Sequence, residues 1–164
     1  MSAVITVLFK DITTGECSVK VAPKGSFDVL SWSWGMSQSA SAHVAQGASQ
    51  GAADVRDLTF TKLSDKASPT IASACFGGKD QKEVTLSMWK TANDKTYEYV
   101  KIKMSGIVFI SAYNTGDIGP NDQLMETITL NFAKLQFSFT PPKPNGDPDS
   151  TVEGKEMAIA EKAS

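Results

Sequence analysis

The residues that could carry chemistry are few and lie far apart in the sequence. The chain has one histidine, His43, with no acidic residue within ten positions on either side to orient it. Cys75 could act as a nucleophile with His43, or a serine could complete a Ser-His-Asp site, because catalytic partners meet in space. Both hydrolase sites stay open, but no residue pattern favours them. The sequence therefore predicts no catalytic residue and a protein that is not an enzyme.

Motifs that bind cofactors or metals are also missing from the sequence. It contains neither Gly-x-Gly-x-x-Gly nor a phosphate-binding loop that ends in Gly-Lys-Ser or Gly-Lys-Thr. The two cysteines, Cys17 and Cys75, lack Cys-x-x-Cys spacing, and no cluster of histidine and cysteine could hold a transition metal. We therefore expect no cofactor and no metal, and two reduced thiols in preference to a disulfide.

Charge and hydropathy argue against two classes of partner. Of the 16 cationic residues, 15 are lysine and only Arg56 has the guanidinium that grips phosphate with two hydrogen bonds, which argues against nucleic acid. No apolar run approaches the ~20 residues of a membrane helix, so no membrane insertion is expected. The β-favouring run at 4–9 follows no basic stretch, and it predicts a first strand instead of a secretory signal. The chain is accordingly expected in the cytoplasm.

Alternation of apolar and polar residues predicts the elements that must position any site. The 164 residues fit one domain. β-Branched and aromatic residues predict nine short strands, which indicate a sandwich or a barrel. The predicted strands are 4–10, 18–22, 27–36, 55–63, 82–90, 97–104, 107–113, 123–132 and 134–140. A loop over 114–122 is predicted from its polar breakers.

One helix is predicted among the strands. Ser68 supplies an N-cap hydroxyl, Pro69 suits the first helical position, and Gly77-Gly78 supplies a stop, which predicts a helix over about 69–76. About two turns are too few for stability in isolation, so we expect the helix to dock on the β structure. Cys75 lies on the apolar side of this helix and is expected to be a small buried residue.

The third predicted strand has two dissimilar faces. Leu30, Trp32, Trp34 and Met36 alternate along one face and are assigned to the core. Phe60 in the next strand is assigned to the core with them. The opposite face carries Ser31 and Ser33, whose small, uncharged side chains suit a surface that is wet but not adhesive.

Two segments differ from the strands around them. The arm, defined as residues 37–53, consists of Ser, Ala, Gln and Gly with one valine, one histidine and no formal charge. It is unusually long for a connection in a compact domain. One interpretation is a flexible insertion. If the segment instead folds back on itself at ~3.3 Å per residue, it reaches on the order of 25 Å, far enough to touch a neighbouring molecule. The tail, residues 141–164, is proline-rich and then acidic, and it is predicted to be flexible.

Several blocks of sequence together resemble a known family. They are VLSWSWGMSQS at 29–39, DLTFTK at 57–62, DKASP at 65–69 and ETITLNFAK at 126–134. This combination resembles the haemolysin-coregulated protein (Hcp) family of bacterial type VI secretion. The resemblance implies a mainly β fold, in which residues 1–140 form a two-sheet antiparallel β-barrel with one short α-helix and a long extended loop, as in phage tail tubes.

The resemblance also implies a function. Members form homohexameric rings that stack into the inner tube of the secretion apparatus, inside a contractile sheath and behind a spike protein. The tube is secreted without a signal peptide, and its lumen carries or chaperones small effector proteins. The implied ring geometry turns Ser31 and Ser33 toward that lumen. Contact with the adjacent ring is then expected through polar residues of the arm, namely Ser39, Ser41, His43, Gln46 and Gln50.

Two other classes of function stay open from the residues alone. The first is a monomeric β-sandwich that binds carbohydrate or protein through an exposed aromatic patch. The second is a thiol hydrolase, which would need Cys75 to be accessible and close to His43. The native mass of the protein separates the first class from a ring, and the reactivity of native Cys75 with iodoacetamide tests the second.

Overall fold

A computed structural model describes residues 3–39, Ala42 and 53–159. Its one α-helix in these ranges, α1, spans Ser68–Phe76, and a 3-10 turn spans Pro120–Asp122. The strands are β1 Ala3–Phe9, β2 Phe27–Val29, β3 Ser31–Ser33, β4 Met36–Gln38, β5 Ala53–Val55, β6 Leu58–Leu63, β7 Val84–Ala92, β8 Lys95–Ile118, β9 Leu124–Phe139, β10 Val152–Glu153 and β11 Met157–Ala158.

The main sheet curls into a nearly closed antiparallel barrel. Its strand order is β2-β1-β7-β8-β9-β6-β3, so the two end strands are β2 and β3, which are consecutive in the chain. At their junction the Leu30 amide donates a hydrogen bond to the Thr61 carbonyl at 2.7 Å. Strands β4 and β5 pair apart from this sheet as a second, small one. The predicted mainly β barrel with one helix is confirmed.

The barrel is filled by aromatic and branched side chains. Phe27 stacks on Phe9 with ring centroids 5.8 Å apart, and its other neighbour is Phe60, at 5.9 Å. Phe27 lies on β2 and Phe60 on β6, so this contact spans the seam where the barrel closes. Aromatic pairs at this spacing add about 0.5–1.5 kcal/mol beyond the area that they bury. The core therefore also helps to close the sheet.

Several strands are longer than the sequence predicted. β8 runs through both 97–104 and 107–113, and it continues into the predicted loop 114–122 as far as Ile118. Gly106, at a φ of 81°, lies where the register with β9 shifts, so it marks a bulge and not an end. β9 likewise merges the two predicted strands 123–132 and 134–140.

Other predicted strands are shorter or missing. Residues 18–22 form bends and turns, because the Ser18 amide donates to the Asp28 carboxylate and the Ala22 amide to the Val19 carbonyl. The predicted strand 27–36 is broken at Leu30 and again at Trp34 and Gly35, and it gives β2, β3 and the first residue of β4.

Helix α1 begins differently from the prediction. Its N-cap is Ala67, and no side chain caps it. The Ser68 hydroxyl, predicted to cap, instead accepts hydrogen bonds from the Asp65 amide and from Lys62 Nζ. Ile71 and Ala74 are buried, and α1 packs mainly against β8. Cys75 was expected to be buried but is half-buried, in contact with the core.

Residues 141–159 do not form the flexible tail that the sequence predicted. They form what we call the C-terminal strap, in which β10 pairs with β9 at Val152 and β11 pairs with β9 at Met157. At the other end of the strap, Asn93 Nδ2 donates to the Asn145 carbonyl at 2.8 Å. The strap forms strands because β9 extends beyond its partner β6 and leaves an edge with which the strap can pair.

Candidate functional site

Six hydroxyl side chains form two rows across three neighbouring strands. In the first row Ser31 pairs with Thr61, which pairs with Thr127. In the second row Ser33 pairs with Thr59, which pairs with Thr129. Paired residues of an antiparallel sheet point to the same side, so the two rows make one surface. We call it the hydroxyl face; it consists of Ser31 and Ser33 on β3, Thr59 and Thr61 on β6, and Thr127 and Thr129 on β9.

Alternation along the strands produces this face. Between the two rows lies an inward-pointing row, in which Trp32 pairs with Phe60 and Phe60 with Ile128. Because successive side chains of a strand point to opposite sides, burying this row turns its neighbours outward. The two serines are exposed and the four threonines are half-buried. Thr59 and Thr129 share a hydrogen bond of 3.1 Å, which ties β6 to β9 on the outer surface.

A polar cluster borders the hydroxyl face. Asp57 Oδ1 accepts a hydrogen bond from Asn131 Nδ2 and Asp57 Oδ2 accepts one from the Ser111 hydroxyl, both at 2.9 Å. These bonds join the start of β6 to β8 and β9. The six residues of the face itself carry no charge, so the face offers hydrogen bonds to a bound partner without fixing the sign of that partner's charge.

Behind the hydroxyl face, on the inner side of β6, lies a fully buried lysine. Lys62 Nζ donates to Glu126 Oε2 at 3.1 Å, to Asp65 Oδ1 at 3.0 Å and to the Ser68 hydroxyl at 3.1 Å. Its fourth acceptor is the Leu63 carbonyl at 2.9 Å. The side chains of Lys62 and Glu126 are 0% and 1% exposed, so each charge depends on the other for compensation.

The buried carboxylate has two further donors. Glu126 Oε1 accepts hydrogen bonds from the Ser64 hydroxyl at 2.9 Å and from Tyr113 Oη at 2.8 Å. Burial alone would raise the pKa of Glu126, but these hydrogen bonds, one from Ser68 and the charge of Lys62 outweigh it, and the pKa is lowered. The pKa of Tyr113 is raised to about 12 by burial and by its bond to the carboxylate. We call Lys62, Asp65, Ser68, Ser64, Tyr113 and Glu126 the buried network.

The buried network accounts for much of the sequence pattern. Lys62, Asp65, Ser68 and Glu126 all lie in the blocks that carry the family resemblance. Together they join β6, the start of α1 and β9 by hydrogen bonds. These residues hold the short helix on the barrel, and we assign them no direct contact with a partner.

The structure places the predicted site residues unevenly. Ser31 and Ser33 lie together on the hydroxyl face, and Ser39 is exposed beyond β4. The remaining predicted contact residues of the arm, Ser41, His43, Gln46 and Gln50, lie outside the described residues.

Among the predicted core residues, Leu30 and Met36 are corrections. Phe60 is fully buried, and Trp32 and Trp34 are half-buried against the core, but Leu30 is 47% exposed and Met36 is 45% exposed. The bend at Leu30 interrupts the strand, so Val29 is buried on one side of it and Trp32 turns inward on the other. Strict alternation through residues 27–36 therefore assigned Leu30 to the wrong side.

Sequence reasoning missed two thirds of the hydroxyl face and the whole buried network. The missed signal is the alternation of threonine with apolar residues, at Thr59 and Thr61 and again at Thr127 and Thr129. Two strands with the same alternation as Ser31 and Ser33 could have been paired with them. The burial of Lys62 had no such signal, since its main partner Glu126 is 64 residues away.

Chemistry of other kinds has little support in the part of the chain that is described. There, no group of three or more His, Cys, Asp or Glu side chains could hold a metal ion. Cys17 and Cys75 are both free thiols, and burial raises the pKa of Cys17. No helix within the described ranges has the length and apolar character needed to span a membrane.

Comparison with known proteins gives one family. The model of the family described as "Type VI secretion system effector, Hcp" matches residues 7–139. Protein hcp1 of Pseudomonas aeruginosa is 41% identical over 96 residues, which are 58% of this chain and 59% of that protein. The matched region thus spans less than two thirds of that relative.

Solved structures share the whole fold. "Structure of a type six secretion system protein" matches with a TM-score of 0.86 and 23% identity, over 98% of both chains. Hcp1 from Salmonella typhimurium matches with a TM-score of 0.75 and 23% identity, over 99% of this chain and 98% of that one. Because the family model covers most of the sequence, the chain belongs to the Hcp family of type VI secretion.

Proposed function

We propose that the protein is a structural subunit of the inner tube of the type VI secretion apparatus. Six copies form a ring, rings stack into a tube, and the tube leaves the cell with small effector proteins in its lumen. The observation that carries this proposal is the hydroxyl face. Before assembly the chain is cytoplasmic, and it is then exported through the apparatus. Its partners are its own copies, the surrounding sheath, the spike protein at the tip and the effectors.

The hydroxyl face suits the lumen of such a ring. Its six side chains are uncharged hydrogen-bonding groups, and each hydrogen bond to a cargo protein contributes on the order of 1 kcal/mol net. One such contact is weak, but a ring repeats it six times at high effective concentration. A cargo is therefore held by many weak bonds, and it is released when the ring comes apart.

Exposed apolar side chains support self-association. Large apolar residues are exposed at several places on the described surface. A head-to-tail contact that closes into a ring buries the same two patches on every subunit, which removes apolar surface from water without open-ended aggregation. The exposed side chains are Val21, Leu30, Met36, Phe76, Ile107, Phe109, Ile118, Leu124, Phe137 and Val152.

The arm supplies the contact between rings in this proposal. Its described base is the small sheet of β4 and β5, which pairs apart from the barrel. The arm carries no formal charge, so its Ser, Ala and Gln side chains can pack closely against a neighbouring ring while they exchange hydrogen bonds. No catalytic step is part of the proposed function.

Native mass and effector capture test the proposal together. Light scattering at micromolar concentration should give six times the 17.5 kDa of one chain. Co-expression with small type VI effectors from the same organism should give complexes in which the effector co-purifies with the hexamer and resists proteolysis. A monomer that captures no effector would overturn the proposal and favour the monomeric binding module.

A further inference from the structure

One edge of β9 is shared by two different segments of the chain. β6 pairs with residues 125–130 of β9, and the C-terminal strap pairs with residues 134, 135, 138 and 139. The other edge of β9 pairs with β8, so both segments lie on the same side. Between them is a short gap at residues 131–133.

The base of the arm enters the sheet at this gap. β5 is followed by Arg56 and Asp57 and then by β6, and Asp57 is held by its hydrogen bond from Asn131 inside the gap. The Arg56 amide donates to the Gly35 carbonyl at 3.0 Å, next to β4. A two-stranded sheet such as β4 and β5 is marginally stable alone in water, so its orientation depends on what packs against it.

The end of the strap packs against this base. Met36, Ala53 and Val55 at the base of the arm line one apolar notch with Met157, Ala158 and Ile159 of the strap. The notch leaves only about 40 Å³ of free space. Val55, Met157 and Ile159 also contact the buried core, which ties the notch to the barrel.

We propose that the end of the C-terminal strap is a positioning element for the arm. Met157 and Ile159 hold β4 and β5 at a fixed angle to the barrel, and a loosened strap lets the base of the arm open. The consequence for stacking rests on the proposed function, because it is there that the arm contacts the adjacent ring. The effect on the base of the arm itself needs no partner and can be measured on its own.

The sequence provides a direct probe of the arm base. Arg56 is the one arginine of the chain, it is exposed, and it follows β5 immediately. A protease specific for arginine therefore cuts at one place, and the rate of cutting reports how often the base opens. Met157→Ser removes apolar contact from the notch and leaves the backbone pairing with Leu135 in place. We expect cleavage after Arg56 to accelerate roughly tenfold.

Matched variants separate this effect from general loosening. Val152→Ser alters the same strap at an exposed residue away from the notch, and Met157→Leu keeps the apolar contact. Both should be cut at the rate of the unchanged protein. Met36→Ser changes the other wall of the notch and should also accelerate cleavage after Arg56. The double variant Met36→Ser with Met157→Ser should be cleaved little faster than either single variant, because both substitutions disrupt the same notch.

The outcomes distinguish this inference from the proposed function. Unchanged cleavage in Met157→Ser, or equal acceleration in Val152→Ser, would overturn the positioning role. If Met157→Ser failed to fold, as judged by circular dichroism, the rate of cleavage after Arg56 in Met36→Ser alone would decide whether the notch positions the arm. Electron micrographs then test stacking. If Met157→Ser forms unchanged rings that stack less, the inference is supported. If Met157→Ser is cleaved faster after Arg56 but its rings stack as those of the unchanged protein do, the strap positions the base of the arm only within the single chain. If the unchanged protein forms no rings, the proposed function fails while the cleavage result still stands.

Discussion

Replacing Lys62 with methionine should destabilise the protein far more than an ordinary lysine substitution does. Methionine has nearly the same length, so the change leaves little cavity and mainly removes the positive charge. Glu126, 1% exposed, and Asp65, 9% exposed, then lose their compensating cation. Removing one partner of a buried ion pair typically costs about 3–5 kcal/mol. For a chain of this size, that lowers the Tm by roughly 6–20 °C.

The assay is thermal unfolding followed by circular dichroism at neutral pH and a fixed protein concentration, since assembly makes the Tm depend on concentration. The matched control is Lys103→Met, on β8, whose side chain is 40% exposed and 3.9 Å from Glu83. An exposed pair of this kind contributes about 0–1 kcal/mol. The double variant Lys62→Met with Glu126→Gln removes both charges and should recover part of the loss. If Lys62→Met shifted the Tm no more than Lys103→Met, the buried network would not hold the fold as described.

Three further predictions address cargo, stacking and pH. Ser33→Gln should preserve the hexamer and reduce the co-purification of an effector, whereas Ser150→Gln on the exposed strap should change neither the hexamer nor the co-purification; equal retention in both variants would remove the lumenal assignment. Replacing residues 37–53 with a short Gly-Ser turn should leave the circular dichroism spectrum intact but weaken tube formation and secretion, and unchanged secretion would contradict the role of the arm. Because the pKa of Glu126 is lowered from its usual 4.5, its contribution to stability is present above that pH and lost as the pH falls through the lowered value. Glu126→Gln should therefore be less stable at neutral pH and converge with the unchanged protein in acid, as denaturant titrations across pH would measure; a constant difference would refute this linkage.

The sequence was informative where a single strand determines the outcome. Alternation places Ser31 and Ser33 on the side opposite Trp32, and the structure has both serines exposed beside half-buried tryptophans. The same rule failed at Leu30, because a bend between two short strands resets the alternation. A hydrogen bond from the Leu30 amide to β6 fixes that bend, and a single-strand pattern contains no information about it.

Long-range pairing set the limit of what could be predicted. The sequence predicted two strands, 97–104 and 107–113, but between them, at Gly106, β8 bulges and continues. The strap was predicted as a flexible tail because proline and acidic residues dominate its composition, but an open edge of β9 gives it hydrogen-bonding partners. Lysine is almost never fully buried without a partner, and the approach of Glu126 in the folded barrel is what makes the burial of Lys62 possible.

Cryo-electron microscopy of the purified protein would show directly whether the hydroxyl face lines the channel of a ring. We expect six-fold rings whose open channel is lined by β3, β6 and β9, with Ser31, Ser33, Thr59 and Thr129 facing the channel. Monomers, or rings in which this face lies on the outside, would contradict it.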